Sequence, residues 1–188
     1  MSVLEYCVLS LALTVPVLAT VCEGARRSPV RLTRGLVVSF VIALEHVLFL
    51  LLGLYVGNLF STPDAKDYNG MVYLGIMILV GVWMLFPLFR RKGVEAPVYE
   101  IARWTPSVLL GVSTGMKTFL VGLALGFIVL FKAELWKIAV PLVVLMFVGG
   151  YLGIMFGRRE KSFHVRRWQL IAVLFLLVFA LKGAFWGE

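Results

Sequence analysis

Long apolar runs alternate with short polar stretches along the whole chain, and this pattern predicts six membrane-spanning helices. Windows of about twenty residues place five of them at 3–21, 35–59, 70–89, 135–156 and 168–185, with another opening at Thr105 and Pro106. Tryptophan collects at the membrane interface, and four tryptophans lie at predicted span ends: Trp104, Trp136, Trp168 and Trp186. The sequence therefore predicts an all-α, polytopic membrane bundle of six transmembrane helices.

Composition leads to the same class of protein. Of the 188 residues, 61% are hydrophobic and 15% are charged, and the mean hydropathy of +0.98 is far above that of a soluble domain. The loops are too short to fold alone, so we predict a single transmembrane domain over 1–188. No nucleophile motif, phosphate-binding loop or metal-binding motif is present, which argues against an enzyme and predicts no cofactor.

The net charge of +8 is concentrated in alternate loops rather than spread over the chain. Arginine-rich stretches occupy 26–34, 90–103 and 158–167, whereas the opposite loops hold a few lysines that acidic residues balance. Basic loops stay on the cytoplasmic side, so both termini are predicted to lie outside the plasma membrane of a prokaryote. Orientation in the lipid bilayer therefore explains the positive net charge. The predicted partner is the bilayer, and no nucleic-acid partner is predicted.

A faint internal repeat divides the chain into two halves. The stretches 52–57 and 152–157 both read L-G-x-x-x-G and fall in the middle span of each half, which predicts repeats at about 1–92 and 104–188. With three spans per half, the repeats must be inverted, a plan that recurs in secondary transporters. The fourth span carries two further G-x-x-x-G steps, which permit close contact between helices.

Two opposite charges lie deep inside predicted spans. Lys117 is in the middle of the fourth span and Glu45 is at a comparable depth in the second. A charge at the bilayer centre costs about 2.5–3.5 kcal/mol on insertion scales, so it faces a partner, water or the bundle interior. With Thr114 and Thr118 at helical spacing beside Lys117, the set predicts a substrate or ion pathway; a fixed Lys117–Glu45 pair that only joins two helices is the alternative.

Two more residues complete the predicted pathway. Thr14 lies in the first span, near Pro16, which suggests an irregular or kinked helix, and His46 follows Glu45. On a helix His46 points about 100° away from Glu45, so the two side chains cannot both face one neighbour. One carboxylate, one imidazole and a repelling lysine make a poor metal site, and haem lacks a second axial ligand at this depth. We predict no metal site at the midplane.

Several segments resemble the small manganese-efflux family (MntP) of the LysE exporter superfamily. Ala43-Leu44-Glu45 is similar to that family's second-span acid, 80–90 to the end of its third span and 152–158 to the end of its fifth. The stretch 114–122 is similar to its fourth-span motif T-S-x-D-A-x-A-V-G, but Lys117 stands where the family has an aspartate. Val15 stands at the matching position of the first half. The resemblance implies an exporter fold that lacks both motif acids.

Two functions remain open on the sequence. One is a secondary transporter or exporter of a small solute or ion, in which Lys117 and Glu45 handle a proton or an organic or anionic solute. The other is a transport-inactive relative that serves as a membrane subunit or scaffold in a homo-oligomer or a larger complex. The first predicts a water-accessible cavity at the midplane, and the second predicts a dry, closed Lys117–Glu45 contact.

Overall fold

The computed structural model describes residues 3–27, 30–61, 66–89, 104–128, 131–158 and 165–185. In these ranges the chain forms helices and no strand. The helices are α1 (Val3–Arg27), α2 (Leu32–Phe60), α3 (Lys66–Phe89), α4 (Trp104–Ile128), α5 (Phe131–Arg158) and α6 (Val165–Phe185). The predicted loop arginines at 90, 91, 103 and 159 lie outside the described residues.

The prediction of a six-helix membrane bundle is confirmed. Five helices contain an apolar stretch long enough to cross a bilayer, and the sixth contains a shorter described one, Leu170–Lys182. Large apolar side chains such as Leu48 and Leu52 of α2 are more than half exposed on the outside of the bundle. Such a surface suits contact with lipid, so the chain is a multi-pass membrane protein.

The first helix is continuous through Pro16. Proline has no N–H to donate to the carbonyl four residues before it. The hydroxyls of α1 bond to the backbone of their own helix: Thr14 donates to the carbonyl of Ser10 at 2.7 Å, and Thr20 to that of Pro16 at 2.8 Å. The polar residues of α1 are therefore compatible with an unbroken helix inside the bundle.

Two parallel helix pairs form the centre of the molecule. α2 packs along α4, and α1 packs along α5, while α2 and α5 join the pairs in an antiparallel contact. α3 lies against α4 and α6, and α6 also lies against α1. Contacts of Gly157 with Cys22 and of Gly35 with Ile154 place the end of α1, the start of α2 and the end of α5 at one end of the bundle. We call this the arginine end, because it carries Arg26, Arg34 and Arg158.

Glycines bring the helices of each pair into backbone contact, as the G-x-x-x-G steps predicted. A Cβ added at Gly53 would overlap the carbonyl oxygen of Phe119, and one added at Gly126 would lie 2.5 Å from the carbonyl oxygen of Leu54. In the other pair, a Cβ at Gly153 would lie 2.8 Å from the carbonyl oxygen of Leu18. Side chains do not fit at these positions, so only glycine permits the observed spacing.

The helix contacts keep their pattern when the halves are exchanged. Replacing α1, α2 and α3 by α4, α5 and α6 turns the α2–α4 contact into the α5–α1 contact, and the α3–α4 contact into the α6–α1 contact. Gly53 and Gly57 of α2 meet α4 as Gly153 and Gly157 of α5 meet α1. Corresponding helices run antiparallel, which is the arrangement that inverted repeats require.

Candidate functional site

Glu45 lies in the middle of α2 and faces the arginine-end half of α4. Its carboxylate occupies the space where a side chain at Gly111 would stand. The Oε2 atom is buried and has no hydrogen-bond partner among the described residues. An unpaired carboxylate oxygen in a membrane bundle is costly, and such groups mark functional sites more often than they serve packing.

Lys117 does not contact Glu45. Its Nζ atom lies 5.9 Å from the ring centroid of Trp83 on α3, within the range of a cation–π contact, and the lysine side chain is half-buried. No ion pair joins Lys117 to Glu45 in the part of the chain that the structure describes. The predicted Lys117–Glu45 contact is therefore wrong.

The glycines of α4 explain the direction of Lys117. Gly111, Gly115, Gly122 and Gly126 form the side of α4 that α2 covers. At about 100° per residue, Lys117 points about 150° away from the middle of that stripe, which directs it to α3. The glycine spacing was visible in the sequence and shows that Lys117 points away from the glycine stripe, but it does not say which helix covers that stripe.

His46 is completely buried, with 0% of its surface exposed. It lies on the same side of α2 as Gly35 and Ser39, and these contact Ile154 and Gly150 of α5. The carbonyl of Ile42, 2.8 Å from Nδ1, can only accept, so in the neutral ring Nδ1 carries the proton. Nε2 is then an unprotonated acceptor, and it has no partner in the described part of the bundle.

The three threonines of the predicted pathway are dispersed. Thr114 is half-buried and donates to the carbonyl of Leu110 at 2.8 Å, so its hydroxyl is satisfied on its own helix. Thr118 is 1% exposed and lies near the glycine stripe of α4. Thr14 is 6% exposed and places its methyl group on Gly149 of α5.

Several contacts were missed in the sequence analysis. Trp83 interacts with Lys117, and the ring of Phe49 packs on Gly115 one turn beyond Glu45. Lys182 forms an ion pair with Glu5 that joins α6 to α1. These pairings depend on which helices are neighbours, and the hydrophobic pattern alone does not specify that.

Polar atoms in the middle of α2 set the chemistry that this region offers. No group of three or more histidine, cysteine, aspartate or glutamate side chains is assembled in the described ranges. The centre instead offers a carboxylate oxygen and an imidazole nitrogen, both buried and unpartnered, on adjacent residues of one helix. Buried acceptors of this kind suit passage of a cation or a proton rather than a fixed metal centre or a nucleophile.

Fold and site together define a multi-pass membrane protein with polar groups in its interior, the class to which small membrane transporters belong. The chain belongs to the MntP family, described as "Putative manganese efflux pump", which matches residues 29–183. This is a family of transport proteins and not an enzyme class. No curated protein and no solved structure matches the chain.

Proposed function

We propose that this protein exports a small solute or ion across the membrane as a secondary transporter of LysE type, and that it is not an enzyme. The observation that carries the proposal is the buried, unpartnered Oε2 atom of Glu45 in the middle of α2. Glu45 is the group that binds the transported ion or the proton exchanged for it. The family match supports a manganese-like ion as the first substrate to test.

The direction of Lys117 removes one objection to a cationic substrate. Its ammonium group lies over Trp83 on the α3 side of α4, whereas the Glu45 carboxylate lies on the α2 side. A lysine on the opposite side of the helix does not occupy the place of a cation at Glu45. It still contributes positive potential nearby, which favours weak binding and rapid release of the ion.

The proposed setting is the plasma membrane of a prokaryote, with the arginine end in the cytoplasm and both termini outside. The described arginines at this end, Arg26, Arg31, Arg34 and Arg158, support this orientation through the positive-inside rule. Association into a homo-oligomer or a larger membrane complex is compatible with the apolar outer surface and remains a separate expectation.

Flux through proteoliposomes tests the function. Purified protein is reconstituted into vesicles with an imposed pH gradient. Mn²⁺, Mg²⁺, Na⁺ or lysine is then added, and a pH-sensitive dye inside the vesicles measures the proton movement that accompanies transport of each solute. We expect flux of one of these solutes that Glu45→Gln abolishes and that Glu23→Gln, which changes an exposed carboxylate of α1, leaves intact. Folded wild-type protein that moves none of them would favour the transport-inactive subunit.

A further inference from the structure

We propose that the solute crosses the bundle by a route that changes helix pairs halfway: it passes between α2 and α4 from the arginine end, and between α1 and α5 to the opposite end. Phe49 and Thr14 lie at the inner ends of the two parts of the route, where each part meets the closed half of its helix pair. The inference rests on the proposed function, because it describes how the solute reaches Glu45 and leaves it.

The α2–α4 interface is closed in its half away from the arginine end. Gly53 and Gly57 of α2 lie against backbone atoms of Phe119 and Leu123, and Gly122 lies against the carbonyl of Leu50. Backbones in direct contact leave no gap, and opening one requires movement of a whole helix. A solute cannot pass along this half of the interface.

The α1–α5 interface is closed at the arginine end instead. A Cβ added at Gly153 would contact the carbonyl oxygen of Leu18. A Cβ added at Gly157 would contact the carbonyl oxygen of Cys22 and would lie 3.1 Å from the backbone nitrogen of Arg26. The two pairs are therefore held by backbone contact at opposite ends of the molecule.

Side chains, not backbones, separate the helices in the remaining halves. Toward the arginine end, Gly111 of α4 faces the Glu45 carboxylate and Gly115 faces the Phe49 ring. On the other side, Gly149 of α5 faces the methyl group of Thr14. A side chain opens a gap by changing rotamer, which is a far smaller motion than the displacement of a helix.

The contacts at the two inner ends, Phe49 with Gly115 and Thr14 with Gly149, correspond under exchange of the halves. The spacing that sets Gly53 beside Gly153 also sets Phe49 beside Gly149, and Thr14 then takes the place of Gly115. Each contact joins a glycine to a side chain, but the side chain comes from α2 in one pair and from α1 in the other. The corresponding position of each helix pair is therefore filled by a side chain, which can change its rotamer.

The two loose stretches overlap in the middle of the bundle, and polar groups occupy the contact between them. Thr14 lies level with residues near Ser39 of α2, since both contact adjacent residues of α5, and Phe49 lies about 15 Å further along α2 at 1.5 Å per residue. Between these levels, His46 directs its unpartnered Nε2 into the bundle. Glu45 and His46 therefore both lie at the levels where the two loose stretches overlap.

Accessibility of introduced cysteines tests the route without any transport measurement. In a Cys7→Ser, Cys22→Ala background, Phe49→Cys and Thr14→Cys are treated with a membrane-impermeant trimethylammonium thiosulfonate from either face of oriented vesicles. We expect Phe49→Cys to react only from the arginine end and Thr14→Cys only from the opposite face, read as a mass shift. Leu54→Cys and Val21→Cys, which are buried in the closed halves, are the controls and should stay unmodified.

Each other result contradicts the route. Controls that react as fast as the test positions, a reversed pattern of faces, or test cysteines that react from neither face would each overturn it. Glu45→Cys and Ser10→Cys replace Phe49→Cys and Thr14→Cys where size-exclusion chromatography shows a misfolded variant. A folded protein with the expected labelling but without flux contradicts the proposed function alone, and Glu45-dependent flux without the labelling contradicts the route alone.

Discussion

At the scale of single residues, the contact between Glu45 and Gly111 determines where the carboxylate stands. A Cβ at Gly111 would overlap Oε2, so Gly111→Ala must displace the carboxylate. Alanine is also favoured over glycine in a helix by about 1 kcal/mol, so the helix itself is not weakened. We expect Gly111→Ala to reduce flux nearly as much as Glu45→Gln while the melting temperature in detergent changes little.

The matched control for this prediction is Ser113→Ala, a change of similar size at an exposed position of the same helix. It should preserve flux. Normal flux in folded Gly111→Ala would show that the position of the Glu45 carboxylate is not important for transport.

Lys117 gives a second prediction, because its contact is with Trp83 and not with Glu45. A double-mutant cycle of Lys117→Met with Trp83→Leu should show a coupling of about 0.5–1 kcal/mol in thermal stability, as cation–π contacts do. The cycle of Lys117→Met with Glu45→Gln should give nearly additive effects. A larger coupling between Lys117 and Glu45 would instead support the ion pair that the sequence suggested.

The sequence predicted the depth of these residues and the divergence of Glu45 and His46, but not their neighbours. Depth follows from the position of a charge in an apolar run, and divergence follows from helical geometry. The neighbour of Lys117 depends on which side of α4 the glycines occupy and on which helix covers that side. Opposite charge at equal depth was therefore insufficient evidence for contact.

At the scale of helices, glycines decide which elements touch. Gly126→Ala would force α2 and α4 apart, because its Cβ would lie 2.5 Å from the carbonyl oxygen of Leu54. Overpacking of this kind costs about 1–3 kcal/mol, which exceeds the gain in helix propensity of about 1 kcal/mol. We expect a lower melting temperature in detergent.

Gly75 of α3 provides the control, since an added Cβ there meets nothing within 4 Å. Gly75→Ala should leave the melting temperature unchanged or raise it slightly. Equal destabilisation by the two substitutions would mean that helix contact at Gly126 is not the cause.

The six helices and their approximate bounds were predictable, and the way they pack was only partly so. Apolar runs gave α2 at 35–59, and the helix covers Leu32–Phe60. The L-G-x-x-x-G steps indicated close contacts, but a glycine step does not name its partner helix. That Gly53 meets α4 and Gly153 meets α1 became clear only from the structure.

At the scale of the whole molecule, orientation in the membrane is the first prediction. The arginine end is expected in the cytoplasm, so a cysteine at Asp64 should react with an impermeant reagent from outside intact cells and one at Arg159 should not. Both positions lie outside the described residues. Labelling in the reverse pattern would invert the orientation and the direction of the proposed export.

The molecule as a whole also predicts how firmly an ion is held. In the described ranges no cluster of three potential metal ligands exists, and the side chains of Glu45 and His46 leave α2 about 100° apart. A divalent ion at Glu45 would keep most of its water, and the ammonium of Lys117 adds repulsion from the other side of α4. Such a site releases its ion readily, as a transporter requires.

We therefore expect purified protein to retain far less than one Mn²⁺ per chain after gel filtration, measured by plasma mass spectrometry, even where Mn²⁺ flux is observed. Stoichiometric Mn²⁺ that remains bound in wild type and is lost in Glu45→Gln, but not in Glu23→Gln, would contradict this and require further ligands that converge on Glu45.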